Sequence, residues 1–216
     1  MTGPVIHVID DDDLLRTALV RLLRVKGYEV RTYASAGDFL LLELPEGPGC
    51  LILDIRMPGP SGLDLQSALG QHGISLPVIF LTGHGDVLSS VRAMKAGAVD
   101  FLTKPVEPEP LLAAIEAALA KDKSQRSERE GLAVARARWN TLTERERAVF
   151  QRVVVGALNK QIAGELGITE RTVKMHRAQV MQKMGAHSLA ELVSTADKLR
   201  TDDGLSPART APASRP

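Results

Sequence analysis

Acidic side chains at the ends of apolar runs carry the first chemistry of this sequence. Asp10 and Asp11 follow Val5-Ile6-His7-Val8-Ile9, and Asp54 ends Cys50-Leu51-Ile52-Leu53. Thr82 closes the run from Pro77, and Lys104 closes the run from Val99. An acid after one buried strand is as readily a helix cap as a site, and the Asp54 run alone leaves both open. Five polar groups at strand ends make a site once those ends share an edge. Two carboxylates ~4 Å apart repel by about 4 kcal/mol at an effective dielectric of 20, so three together require a divalent cation. An oxygen-only set without His or Cys selects Mg²⁺ or Mn²⁺. Asp54 then has the makings of a nucleophile toward a phosphoryl group, with Lys104 neutralising charge and Thr82 donating a hydroxyl. Phosphorylated, it would create a local field able to bias a bistable element.

These groups meet only if the runs are neighbouring strands. Between them lie helical spacings: Leu15, Ala18, Leu19, Leu22 and Leu23 ending at Gly27; a short helix capped by Ser35 through Phe39 and Leu42; and a Ser61-started helix with Leu63, Leu65 and Leu69. Asp86 to Gly97 and the Leu111-Leu112, Ile115, Leu119 pattern complete the alternation, and Glu29–Tyr33 supplies another strand. Strands alternating with helices predict a doubly wound parallel sheet. The expected class is an α/β flavodoxin-like fold with five strands in the order 2-1-3-4-5 and its switch point between strands 1 and 3. Asp12 and Asp13 are expected at the amino end of the first helix, where anions are favoured. His7 is read as packed or partly exposed. Gly83-His84-Gly85 is too short to cradle a phosphate, and His84 is a poor candidate for a base.

Charge divides the chain. Residues 1–122 hold 10 Lys/Arg against 16 Asp/Glu, whereas residues 123–140 hold 5 against 2 and residues 141–199 hold 9 against 6. The near-neutral total of +1 thus hides an acidic front and a basic back, a pattern pointing weakly to nucleic acid. A hydrophobic fraction of 44% and a charged fraction of 25% are those of an ordinary globular protein. No apolar run has a membrane-spanning length, and Met-Thr-Gly-Pro lacks the look of an export signal. With one cysteine, Cys50, and no disulfide, a cytoplasmic location without membrane attachment is expected.

The back half reads as helices throughout. Pro105, Pro108 and Pro110 are expected to precede the fifth helix, which runs past Leu119 as a solvated extension or hinge. Leu132, Val134, Ala135 and Trp139 form a short amphipathic piece, and the charges around them read as a solvated face. Thr143 with Glu146 is a capping-box signature before Val149, Phe150, Val153 and Val154. Asn159 is read as the cap of a second helix ended by Gly167. A third starts at Glu170 and ends at Gly185, and Ser188 caps a fourth. A short helix, a Gly turn and a longer helix make a helix-turn-helix, here within an all-α four-helix domain. Arg171, Lys174 and Arg177, with Gln179, stand off the third helix's apolar face as a major-groove reader requires, although any small bundle has a basic face.

Two families share these residues. Asp10-Asp11, Asp54, Thr82, Phe101 and Lys104 resemble the two-component response-regulator receiver domain over roughly residues 3–122. The resemblance implies Asp54 as phospho-acceptor, Asp10-Asp11 as the acidic pair of a Mg²⁺ site, and the Arg56 backbone carbonyl as a further ligand. It makes Thr82 and Phe101 a switch pair, with Phe101 in place of the family's common tyrosine and so contributing packing only. It also implies a Lys104–Pro105 bond that is commonly cis. Leu142-Thr143-x-Arg145-Glu146, Asn159-Lys160-x-Ile162-Ala163 and Thr169-x-x-Thr172-Val173-Lys174-x-His176 resemble the LuxR/NarL-type DNA-binding domain over about 141–196. There the helix of Thr172 and Lys174 enters the groove, with Lys174, Met175 and Ala178 facing bases; Met175 and Ala178 offer apolar contact alone. Thr169, Lys160 and Arg171 are expected at phosphates. Both together, with Leu-Thr-Gly-His-Gly-Asp and Met-Lys-Ala-Gly-Ala-Val-Asp-Phe, look like FixJ-type regulators.

The expected organisation is a receiver at 3–122, a helical linker at 123–140, a DNA-binding domain at 141–199 and a disordered Pro/Ala/Ser/Arg tail at 200–216. The expected function is that of a transcription factor rather than an enzyme. A sensor histidine kinase phosphorylates Asp54, receivers pair through helix 4, strand 5 and helix 5, and the dimer binds promoter DNA beside RNA polymerase. A haloacid-dehalogenase-like phosphohydrolase would need a second acid two residues after the nucleophile, but position 56 is Arg. A DNA binder whose receiver serves only dimerisation would have no use for the acids.

Overall fold

The computed structural model describes residues 3–41, 47–83 and 87–203, without the side chains of 87–90 and 201–203. The chain divides into two compact units, Met1–Arg126 and Ser127–Pro216.

In the first unit, strands β1 (Val5–Ile9), β2 (Glu29–Tyr33), β3 (Gly49–Asp54), β4 (Val78–Thr82) and β5 (Asp100–Thr103) form one parallel sheet ordered β2-β1-β3-β4-β5. Helices α1 (Asp13–Val25), α2 (Ala36–Leu40), α3 (Gly62–Gln71), α4 (Val87–Lys95) and the first part of α5 (Pro108–Asn140) alternate with them. The central strands are apolar on both faces because helices cover both. Ile9, Leu51, Leu53 and Phe80 pack with Phe39, Leu65, Leu69 and Ala93. Ile6, Val8, Ile52, Ile79 and Leu81 pack with Leu19, Leu23, Leu111 and Ile115. Each buried Leu, Ile, Val or Phe among them contributes about 1.5–3 kcal/mol. The register levels the strand ends, with Ile9 opposite Leu53 and Asp54 opposite Leu81.

The sequence expectations for caps hold at Asp12, Ser35, Ser61 and Thr143, whose side chains accept from the first-turn amides. His7 is fully buried, its Nδ1 3.1 Å from the Tyr33 hydroxyl, and burial followed by the charge of Arg31 hold its pKa down to about 4. Burial likewise pushes the Cys50 thiol up to about 12, which leaves it unreactive.

Helix α5 differs from expectation at both ends. Pro108 and Pro110 lie inside its first turn instead of before it, because first-turn amides have no intrahelical acceptor to lose. It continues to Asn140, so the segment of Leu132, Ala135 and Trp139 is no separate piece. The second unit holds the last turns of α5 with α6 (Glu144–Val154), α7 (Asn159–Leu166), α8 (Glu170–Met184) and α9 (Leu189–Asp203). Leu142, Val149, Phe150, Ile162, Val173, Val180, Met184 and Leu192 form its core. Asn159 does not cap α7. Leu158 holds that position, with its N–H donated to Gln161 Oε1, while the Asn159 amide oxygen accepts from Arg177. The expected tail from 200 begins as helix, since α9 runs to Asp203, and 204–216 lie outside the described residues. So do Leu42, His84, Gly85 and Asp86 of the sequence reading.

Candidate functional site

Parallel pairing brings the acids together. Asp10 and Asp54 each lie one residue past, or at, the end of adjacent strands, and oxygens of Asp10, Asp11 and Asp54 lie within 4.8 Å of one another. Asp10 is wholly buried, Asp54 nearly so, and Asp11 exposed. Lys104, one residue past β5, reaches between them: its Nζ is 2.6 Å from Asp54 Oδ2 and 2.8 Å from Asp10 Oδ2. Asp10 Oδ2 is thus paired in charge yet accepts no well-formed hydrogen bond. Asp10 Oδ1 accepts from Asp12 N at 3.0 Å, and Asp54 Oδ1 from Arg56 N at 3.2 Å.

Electrostatics follow from this crowding. Burial raises the Asp10 pKa, partly countered by Lys104 and the Asp12 amide, and the Asp54 charge adds to the rise. Burial pulls Lys104 down, but its hydrogen bond to Asp54 and the close negative charges of Asp10 and Asp54 win, leaving it raised. One ammonium serves two carboxylates, and a third stands in solvent beside them. Hard oxygens in excess of positive charge, one of them buried without a hydrogen bond, fit a divalent cation of the Mg²⁺ class.

The neighbouring groups are placed by the same sheet. Thr82 is buried, and its hydroxyl donates to Gly83 O at 2.9 Å. Phe101 lies opposite Phe80, half-buried against the core. The Lys104–Pro105 bond is cis. Gly62 opens α3 directly against the Asp54 backbone; a side chain there would collide with the Asp54 carbonyl. Arg16 escaped the sequence reading. It donates to Asp10 O and to Asp13 Oδ1 at 2.8 Å, bracing the acidic turn, and its only signal was the Asp13–Arg16 spacing of three.

In the second unit α7, Gly167 in the left-handed conformation, and α8 form the helix-turn-helix. Thr169 caps α8, accepting from Thr172 N at 3.2 Å, and the two hydroxyls are 2.9 Å apart. Lys160, Thr169, Arg171, Lys174, Met175 and Ala178 are exposed; Thr172 and Arg177 are half-buried. Arg177 Nη1 donates to Asn159 Oδ1 at 3.0 Å, tying α8 to α7. The sequence reading missed how Glu146 works beyond its cap. Buried, it accepts from Thr143 N at 2.8 Å and from Lys183 Nζ at 2.6 Å, locking α6 to α8.

A parallel 2-1-3-4-5 sheet with an acidic carboxyl edge, joined to a helix-turn-helix unit, is the arrangement of a phospho-controlled DNA-binding protein. Residues 6–116 match the response regulator receiver domain, and residues 140–196 match bacterial regulatory proteins of the luxR family. The chain belongs to the two-component response regulators that join a receiver to a LuxR-type DNA-binding domain, and it is a transcription regulator of the FixJ type. It is 44% identical over 198 residues to nodulation protein W of Bradyrhizobium diazoefficiens, covering 92% of this chain and 87% of that one. Transcriptional regulatory protein FixJ of Rhizobium meliloti is 44% identical over 196 residues, 91% of this chain and 96% of the relative. The solved structure of response regulator StyR superposes with a TM-score of 0.80 at 47% identity, covering 91% of this chain and all of that one.

Proposed function

We propose that Asp54 is the phospho-acceptor and that its state sets how tightly the second unit holds promoter DNA. The observation carrying this is the three-carboxylate cluster with Lys104 bridging Asp10 and Asp54. A sensor histidine kinase presents a phosphohistidine; an Asp54 oxygen forms the new O–P bond as the N–P bond breaks, and the leaving imidazole takes up a proton. Asp10, Asp11, Asp54 and the Arg56 carbonyl would hold Mg²⁺ (or Mn²⁺), which when bound would neutralise charge on the transferring phosphoryl oxygens. Lys104 leaves Asp10 to follow the phosphoryl group, and Thr82 turns its hydroxyl from Gly83 O toward it. Phe101 then packs inward, and the 87–119 face of α4, β5 and α5 pairs with a second copy. The chain's own part is to accept and report a phosphoryl group, without turning over a small-molecule substrate.

Two linked DNA-binding domains then meet paired half-sites at roughly millimolar effective concentration. Lys174, Met175 and Ala178 face bases, and Lys160, Thr169 and Arg171 meet phosphates, with Thr172 and Arg177 framing them. This reading divides the chain into a receiver at 3–122, a helical linker at 123–140 and a DNA-binding domain at 141–199. It implies work in the cytoplasm beside RNA polymerase, and among the described residues no helix is long and apolar enough to cross a membrane.

The test is acetyl phosphate with Mg²⁺, read by phosphate-affinity gel mobility and by light scattering. The expected result is a retarded, dimeric species that Asp54→Asn does not form. Normal phosphorylation and dimerisation of Asp54→Asn would refute the assignment.

A further inference from the structure

A helix leaves its last carbonyls without intrahelical donors, and something must satisfy them. At the end of α8, Gly185 at φ +62 donates to Gln182 O at 3.1 Å, and Ala186 donates to Met181 O at 3.0 Å. The Met184 carbonyl is taken from outside the helix, by Arg138 Nη1 at 2.9 Å. A guanidinium there also lies at the negative end of the helix dipole. Its fork fills the place of a missing side chain, since a Cβ on Gly185 would come within 2.6 Å of Arg138 Nη1 and 2.8 Å of its Cζ.

The turn of α5 that bears Arg138 is itself fixed to the second unit. Ala135 is buried in that unit's core, with Leu132 and Trp139 packed against it. Trp139 meets Phe150 edge-on at 5.0 Å, and the Arg147 guanidinium lies 5.4 Å over the indole. From the other side, Lys183 Nζ donates to Thr141 O at 3.2 Å and to Glu146 Oε2 at 2.6 Å. Residues on both sides of the α5–α6 joint thus grip the last turn of α8.

We infer that Arg138, carried on the last turns of α5, is a positioning residue for DNA reading, fixing the far end of α8 and so the angle at which Lys174 and Met175 meet base edges. The inference rests on the proposed entry of α8 into the major groove. Ten residues separate Lys174 from Met184, about 15 Å of helix. A swing of about 5° at the anchor moves Lys174 by roughly 1 Å, which exceeds the whole 2.7–3.2 Å range of a good N–H···O bond. Coulomb attraction from Lys160 and Arg171 to phosphates falls off gently and tolerates such a shift. Loss of Arg138 therefore removes sequence discrimination more than total affinity.

The experiment uses the full chain with acetyl phosphate and Mg²⁺. Its probes are a duplex enriched by the unsubstituted chain from a randomised pool and a scrambled duplex of equal composition. The quantity read is the ratio of the two affinities. Loss of folded protein lowers both alike and cancels, so a residue that merely stabilises leaves the ratio unchanged. Arg138→Ala is expected to lower it about five- to tenfold, the scale of one lost base contact. Arg138→Lys, which still donates to Met184 O, restores it to within about twofold. Gly185→Ala, which pushes a methyl into the fork, lowers it similarly, and the double variant with Arg138→Ala falls no further. Lys174→Ala separates the two ideas. If it leaves the ratio unchanged, the groove assignment has failed and this inference with it. If it lowers the ratio while Arg138→Ala and Gly185→Ala do not, the positioning role alone is overturned.

Discussion

Two lysine–carboxylate clusters, one in each unit, use the same atoms at the same distance and do opposite things. Lys183 lies 2.6 Å from Glu146, and Lys104 lies 2.6 Å from Asp54. Glu146 is sated: the same oxygen takes the Thr143 amide, and Lys183 followed by that amide hold its pKa below the usual carboxylate range. Lys104 is shared between two acids, one of which is buried, lacks a hydrogen bond on Oδ2 and is pushed upward by burial. A satisfied pair fastens helices together. An oversubscribed one leaves a demand for positive charge that a cation would meet, and the difference lies in the count of partners rather than in residue type.

The sharpest way to break this contrast is to neutralise one acid in each cluster. Asp10→Asn should cut Mg²⁺-dependent phosphorylation by acetyl phosphate about a hundredfold, the scale of a lost metal-site group. Glu146→Gln should leave that rate within about twofold, because its cluster lies in the other unit. Equal losses in phosphate-affinity gels would erase the distinction.

Stability should divide the other way. Glu146→Gln removes a hydrogen-bonded charge and is expected to cost the second unit about 1.5–3 kcal/mol at pH 7. Trp139, the one tryptophan, packs in that unit, so its fluorescence in urea reports the loss directly. A midpoint unmoved by the substitution would make the Glu146 clamp ornamental.

A smaller effect comes from the cation itself. Millimolar Mg²⁺ at about tenfold over its dissociation constant should stabilise the first unit by about 1.4 kcal/mol. Slower amide exchange across β1 and β3 would register it, and Asp10→Asn should abolish it. The same slowing in that variant would place the ion elsewhere.

Weakest, and opposite in sign between the clusters, is the response to pH. Glu146 has a depressed folded pKa, so its stabilisation is present above the usual carboxylate value and is lost as pH falls through the folded one. Asp10 has a raised folded pKa, so it favours the folded state at low pH and loses that contribution as pH rises through the raised value. In Mg²⁺-free buffer at pH 7, Asp10→Asn should thus raise the stability of the first unit, with the gain shrinking toward pH 3. Amide exchange across β1 at both pH values checks this; a gain that grew on acidification would reverse the assignment.

Much of this was legible in the residues. Apolar runs of strand length, each ended by Asp10-Asp11, Asp54, Thr82 or Lys104, gave the sheet and the edge to watch, because period and length report burial on both faces. Thr143 with Glu146, and Gly167 and Gly185 after their helices, gave the breaks of the second unit, because caps and left-handed turns are local chemistry. Other features depend on partners far along the chain. The spacing could not say that Lys104 bridges two acids 50 and 94 positions away, nor that Thr82 spends its hydroxyl on Gly83. Asn159 had the composition of a cap, but Arg177, 18 residues on, takes its side chain. The 123–140 charges read as a solvated face, yet Arg138 reaches Met184, 46 residues away. Sequence alone fixes what each stretch does with its own backbone and which of its faces is apolar. Which side chain answers which distant charge is decided when strands pair and helices pack, since a hydrogen bond is made over about 3 Å of space and is blind to the length of chain between its ends.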